Sequence, residues 1–441
     1  MKQLVIAAAC ATVFVGMRPV AQEAAVIVFT NVNVLPMDRE TVLRDQTVLV
    51  RDGRIEQVGA AAAMKVPEGA TRVDGRGKFL MPALAEMHAH IPGGKATDAE
   101  VERTLYLYAA NGIGTIRGML GDPRHLAYRE RAGRGELFSP RIYTSGPSFS
   151  GGSVKTPEAA VQMVIDQKAA GYDLLKIHPG VSRPVFDAMA AKAHELRIPF
   201  AGHVPLEVGL HRALEARYKS IDHLDGYVEA MAKDAKSSDF FGLNLINEVD
   251  ESRIPSLVAA TKAAGTWIVP TMTLLENVIS DEDPEAVAAQ PVMKHAPPDL
   301  LPKWVAQKKN MLAKYSAADR AKVLALRRRL LKALFDGGVP VALGSDAPQF
   351  FNIPGFSIHR ELRSMVQAGL TPFQALQTGT INIGKYFGTE NATGTIAPGR
   401  RADLILLDAN PLEKIDNSSS IAGVLINRRW MTQAELGIAN P

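Results

Sequence analysis

The run MPALAEMHAH, residues 81–90, places two imidazoles one residue apart at the end of an otherwise apolar segment. Buried polar groups need partners, so an apolar strand has no use for histidines at its tip unless something binds them. Two readings follow. His88 and His90 are either metal ligands at the mouth of a barrel or polar residues where a strand runs out.

The rest of the chain decides between them. Seven further short apolar runs follow: GIGTIR (112–117), RIYTSG (141–146), DLLKIH (173–178), IPFAGH (198–203), SIDHLDG (220–226), GTWIVPT (265–271) and VPVALGSD (339–346). Helical patterns such as TPEAAVQMVIDQKAAG (156–171) and SRPVFDAMAAKAHELR (182–197) alternate with them. Alternation of this kind makes parallel βα units. Eight such units predict an α/β chain folded as a (β/α)8 TIM barrel over 82–388, with a doubly wound open sheet as the alternative.

The flanks have a different texture. AVIVFTNVNVLP (25–36), QTVLVRDGRIEQVG (46–59) and TRVDGRGKFLMP (71–82) are β-rich and broken by Asp-Gly and Gly turns. GTIAPGRRADLILLDANP (394–411) and IAGVLINRRW (421–430) match them near the other end. Both ends therefore predict one small β-sandwich domain, its first part at 25–81 and its second part, with the C-terminal tail, at 389–441. Residues 1–24 read as a secretory signal: Lys2, an apolar stretch from Leu4 to Gly16, then small residues near Ala21 and Ala24. That stretch is short for a membrane span, so the expected location is periplasmic or secreted, without stable membrane insertion after processing.

Composition narrows the chemistry. Cys10 is the only cysteine, which excludes disulfides and thiolate metal sites. A formal charge of +4 with no large basic block gives no footprint for nucleic acid. The polar residues instead recur at one place in each unit. His88 and His90 end the first strand, Lys176 the fourth, His203 the fifth, His223 the sixth and Asp346 the eighth. In a barrel these ends converge on one face, the face that carries active sites. Singly, each has a bland reading as a hydrogen-bonded strand end or a helix cap. Together they predict a metal pocket.

This arrangement resembles the metal-dependent amidohydrolase superfamily, most closely its prolidase-like and imidazolonepropionase-like branch. DGRGKFLMPALAEMHAH (74–90) is similar to that family's entry into the barrel, and GTIAPGRRADLILLD (394–408) to its return to the sheet domain. Ala83 and Glu86 stand where many relatives have Gly and Asp. The resemblance implies two divalent ions, with zinc the best match to four imidazoles and a few oxygens and manganese, cobalt or iron the alternatives. By that resemblance His88, His90 and Asp346 bind the more buried ion and His203 and His223 the other. Lys176, carboxylated by CO2, bridges the pair together with a hydroxide. A mononuclear site with unmodified Lys176 is the alternative.

The implied reaction is hydrolysis of an amide or peptide bond in a dipeptide or N-acyl amino acid. Asp346 moves the proton from water to the leaving nitrogen, and His223 assists the oxyanion. Cyclic-amide hydrolysis, deamination, or a non-catalytic binding protein on the same fold are the alternatives. Around the site, Arg117 is expected either to clamp a substrate carboxylate through two parallel hydrogen bonds or to form a structural ion pair within the barrel mouth. Tyr227 is a candidate contact to a polar group of the substrate, or else packs within its loop. His178, two residues after Lys176, is a candidate neighbour of the ligands or of the substrate. Two long connections, 224–252 and 271–317, are expected either to wall the pocket or to make a dimer contact, so a homo-oligomer stays open.

Overall fold

The structure is a computed structural model that describes residues 26–438. The expected signal segment lies outside the described residues. Among those described, no helix is long and apolar enough to cross a membrane.

The N-terminal part contributes β1 (Val26–Val34), β2 (Leu43–Arg51), β3 (Arg54–Ala60), β4 (Thr71–Asp74) and β5 (Phe79–Pro82). The run quoted at the outset is in fact split. It leaves the sheet at Pro82, and β6 (Leu84–Ala89) begins a second structure. Three parallel strands form one arc: β6, β7 (Ile113–Gly118) and β8 (Arg141–Thr144). Four more form another: β9 (Leu175–Ile177), β10 (Phe200–Gly202), β11 (Ser220–Asp222) and β12 (Trp267–Val269). Single parallel bridges join the arcs, Ser145 with Leu174 and Phe149 with Ile177 on one side. On the other side Ile268 pairs with Val341 and Ala89 with Ala347. The result is a TIM-barrel-like α/β fold.

The eighth segment departs from the expected strand. Residues 340–347 run between β12 and β6 through isolated bridges instead of a regular ladder. Pro340 has no N–H to give. The Ser345 N–H goes to the buried Glu86 carboxylate at 2.8 Å, not to a neighbouring strand. Asp346 turns out of extended backbone at φ +66°. The expected long connections also differ from irregular loops. Helices Met272–Ile279, Pro284–Ala288 and Leu301–Lys314 occupy more than half of the second, and Met272 and Leu274 are buried.

The chain returns to the first sheet with β13 (Leu404–Leu407), β14 (Ile421–Ile426) and β15 (Arg429–Thr432). The sheet order is β15-β14-β13-β5-β1-β2-β3, with β4 also paired to β1. β13 lies antiparallel on β5, Ile405 opposite Met81 and Leu406 opposite Leu80. Phe29, Val48, Leu80, Leu404 and Leu425 fill a core separate from that of the barrel, and Trp430 stands edge-on to Phe29 at 5.1 Å. The Asp-Gly signal is a tight hairpin here: Asp52 and Gly53 take φ +50° and +73° between β2 and β3, as a type I′ turn requires.

Candidate active site

The strand ends bring the histidines together. His88 closes β6, and its ring lies 5.4 Å from that of His90 and 4.5 Å from that of His223, centroid to centroid. The His223 ring is in turn 4.6 Å from His203. Asp346 Oδ1 stands 2.6 Å from His90 Nε2 and 3.7 Å from His88 Nε2, and its Oδ2 is 3.8 Å from His223 Nδ1. Donor atoms of His88, His90 and Asp346 all fall within 4.8 Å of one another, a spacing that could hold a metal ion.

Lys176 points into the same cluster, its Nζ 3.3 Å from His88 Nε2. The backbone around it is shaped to let it pass. Gly202, at φ +124°, lies so close that a Cβ there would come within 2.9 Å of Lys176 Cδ and 2.5 Å of Ile177 O. Burial lowers the Lys176 pKa to about 8, against the opposing pull of Asp222 and Asp346. Burial also holds His88 and His223 well below the usual histidine range and brings His203 down to about 3. Neutral imidazoles keep the lone pair that a metal needs.

His223 shows the clearest sign of a missing partner. Its Nδ1 lies 2.7 Å from Thr271 Oγ1, while its Nε2 is buried with no hydrogen-bond partner. Leaving such an atom unsatisfied costs about 1–3 kcal/mol. The backbone is also strained there, with His223 at φ +63° and Leu224 at +54°. Arg327 holds that backbone, donating to His223 O at 2.7 Å and Pro270 O at 3.1 Å. Strain and an open valence at one residue fit a ligand position. The donor set as a whole, neutral imidazoles with one carboxylate and a buried lysine, fits divalent ions.

A second layer of residues, absent from the sequence reading, orients the first. Asp222 Oδ2 lies 2.8 Å from His88 Nδ1, and Asp225 Oδ2 2.6 Å from His203 Nδ1. Burial raises the Asp225 pKa to about 7. Glu86 accepts from His88 N at 2.9 Å and from the Ser345 hydroxyl at 2.5 Å, tying β6 to the segment that carries Asp346. Carboxylates behind ligating histidines set the tautomer and ring direction. The signal for Asp222 was available. It alternates with Ser220 along β11, so both side chains share a face.

Two expected substrate contacts are corrected. Arg117 is fully buried beneath the cluster. Its guanidinium donates to Asp222 at 3.0 and 3.1 Å, to Ser220 Oγ at 2.7 Å and to Tyr386 Oη at 2.6 Å, and its Nε donates to Met87 O. With its donors committed inside the barrel, nothing remains for a substrate carboxylate. Tyr227 is also buried, its hydroxyl 2.7 Å from Thr261 Oγ1, and serves the packing of its helix. His178 does sit at the site, its ring 5.2 Å from His203.

Aromatic rings form the wall. Phe241 lies 5.5 Å from the His223 ring and 6.5 Å from His203. Phe240 meets Phe350, from the loop after Asp346, at 5.9 Å. All three take positive φ, an uncommon conformation for large side chains. The long connection after β11 therefore contributes rings at the site, as a pocket wall would.

Residues 79–431 match the amidohydrolase family. Among solved structures the fold is similar to that of bottromycin amidohydrolase, with TM-score 0.71 and 22% identity over 93% of this chain and 88% of that one. It is also similar to a Xaa-Pro dipeptidase with methionine bound in its active site, with TM-score 0.69 and 18% identity over 92% and 100%. Curated sequences match over short stretches. Adenine deaminase 3 of Rhizobium meliloti (strain 1021) is 46% identical over 59 residues, 13% of this chain and 10% of that protein. The chain thus spans only about a tenth of the length of the curated relatives it matches first.

Proposed function

The chain belongs to the amidohydrolase family, and we propose that it is a binuclear metal-dependent hydrolase cleaving the amide bond of a dipeptide or N-acyl amino acid. Hydrolysis of a carbon–nitrogen bond is what the family supports; the substrate class, the metal pair and the carbamate are this reading's own. The observation that carries it is the convergence of four histidines, Lys176 and Asp346, with one buried imidazole nitrogen left open. The parallel arcs are read as a closed (β/α)8 barrel and the terminal sheet as a sandwich that folds over its own core. Export through residues 1–24 belongs to the same proposal.

His88, His90 and Asp346 would hold one ion, and His203 and His223 the other, with zinc the best match to these donors. Lys176, as a carbamate, would supply further anionic oxygens to hold both ions. A neutral amine must attack CO2, forming the N–C bond and releasing one proton, and burial favours the neutral amine. Divalent ions bound by these residues would supply a water acidic enough to attack near neutral pH and a Lewis acid for the amide carbonyl. Asp346 then accepts the proton from water and delivers it to the leaving nitrogen. With Nδ1–H donating to Thr271 Oγ1, the neutral His223 ring would offer its Nε2 lone pair to an ion; in the other tautomer, with the Thr271 hydroxyl donating, Nε2–H would assist the oxyanion. The Phe240, Phe241 and Phe350 rings favour a substrate with an apolar side chain.

Lys176→Ala should lower the metal content from two ions toward one and largely abolish turnover, with partial rescue by short carboxylic acids. Metal analysis and kinetics on dipeptides and N-acyl amino acids give the test. A variant that keeps both ions and its activity rejects the carbamate. The short likeness to adenine deaminases favours a second reading, deamination of a cyclic amidine. Turnover of adenine but of no amide in the same panel would decide for it.

A further inference from the structure

On the opposite side of the barrel from the histidines, a cleft of about 800 Å³ opens between the strand starts and the terminal sheet. Arg141 begins β8, and Asp173 precedes β9, so these are N-terminal strand ends. The cleft is lined by Arg54, Arg129, Arg134, Arg141, Arg401 and Arg428, against only three carboxylates, Asp52, Asp173 and Asp403. Two of the three are already engaged. Asp173 takes Arg129 at 2.9 Å and Thr144 N at 2.8 Å, and Asp403 takes Arg401 and Asn427 N.

Arg141 and Arg428 have neither an ion pair nor a hydrogen bond from their side chains among the described residues. Partial desolvation at the cleft wall, and then the Arg401 charge, hold Arg141 below its usual pKa. The Arg428 side chain is fixed at the cleft by backbone geometry. It occupies φ +70° in the turn between β14 and β15, where Gly or Asn is the ordinary choice. Its side chain lies across the neighbouring hairpin turn at Gly53, where a Cβ would come within 2.7 Å of Arg428 Cγ. Two turns are thus fitted together so that a strained arginine crosses a glycine and ends without a partner.

We propose that this cleft binds a small soluble polyanion carrying a pyrophosphate group, gripped by Arg141 from the barrel and Arg428 from the sheet. Arg134 is paired with Glu136 just outside the cleft, so six guanidinium groups against four carboxylates leave an excess of two positive charges, which suits a pyrophosphate and exceeds what one monoanion neutralises. Guanidinium forks match phosphate oxygens in pairs. A ligand seated here would tie the terminal sheet to the base of the barrel, and its binding would be independent of the metal chemistry proposed above.

Isothermal titration of the full protein with inorganic pyrophosphate, in about 150 mM salt where loose surface attraction is largely screened, tests the idea. The expected Kd is below about 100 μM. The double variant Arg141→Gln, Arg428→Gly should weaken it at least about tenfold. Gly suits the left-handed turn, so this variant should keep the wild-type melting temperature. ADP titrated in parallel identifies the source: tighter binding than pyrophosphate points to a nucleotide, equal or weaker binding to a free polyanion. No binding beyond that of sulfate overturns the proposal. So does equal pyrophosphate affinity in the double variant, which would mark chelation of metal at the histidine site.

Discussion

Asp346→Asn should slow turnover by roughly 10²–10⁴-fold, the loss typical of removing a general base, while leaving the fold intact. The substitution keeps size and shape at a position only 2% exposed, and an amide can still meet His90 across the 2.6 Å gap. What it lacks is the capacity to accept a proton and pass it on. Because Asp346 is also a proposed ligand, metal content must be measured on the same preparation. Loss of rate with metal retained assigns the residue to proton transfer, whereas loss of both assigns it to holding the ion. Full activity with full metal content would reject both roles.

Arg117→Met should destabilise the protein by about 3–5 kcal/mol, the usual cost of removing one partner from a buried ion pair. Arg117 and Asp222 are both fully buried. Burial opposes the Arg117 charge, but Asp222 and then Tyr386 outweigh it and raise its pKa. Removing the guanidinium strands a carboxylate whose remaining partners are His88 and Ser220. Urea unfolding would show the shift directly. Adding Asp222→Asn should recover part of the stability, since the stranded charge is then gone. Kinetics give the opposite pattern from a substrate clamp: equal losses on a carboxylate substrate and its amidated twin. Selective loss on the carboxylate substrate, with stability unchanged, would return Arg117 to substrate recognition.

Arg117 also shows where reading the sequence fails. Its nearest acidic neighbour in the chain is Asp122, yet its partner is Asp222, 105 residues away on β11. Strand adjacency across a barrel interior is invisible to a search along the sequence. The strand-end residues were legible because parallel strands impose one rule on all of them: the C-terminal end faces the site. That rule found His88, His90, Lys176, His203, His223 and Asp346, which the fold brings into one cluster. It could not say which polar residues at those ends point inward to hold others. Thr271 is only the last residue of the GTWIVPT run in the sequence, yet its hydroxyl meets the His223 ring. Glu361 lies on a helix whose amphipathic pattern gave no hint of a role. Its buried carboxylate accepts from Met272 N and Thr273 N, both at 2.8 Å, and fixes the turn that carries Thr271. The eighth strand was misjudged for a related reason, since the Glu86 side chain occupies a backbone donor that pattern reading assigns to a ladder.

The pairing of β5 with β13 bears on how the protein is made. β5 ends at Pro82 and its partner begins at Leu404, so the ribosome must add more than 300 residues between them. At roughly 5–20 residues per second this takes about 15 to 60 s. Throughout that interval the edge of β5 that will receive β13 has no partner, beside strands that are already hydrophobic and complete. An unpaired strand edge of this kind is a template for pairing with another chain. The nascent protein is therefore most exposed to aggregation before β13 emerges, and a chaperone that shields the N-terminal half-sheet in that interval would protect its yield.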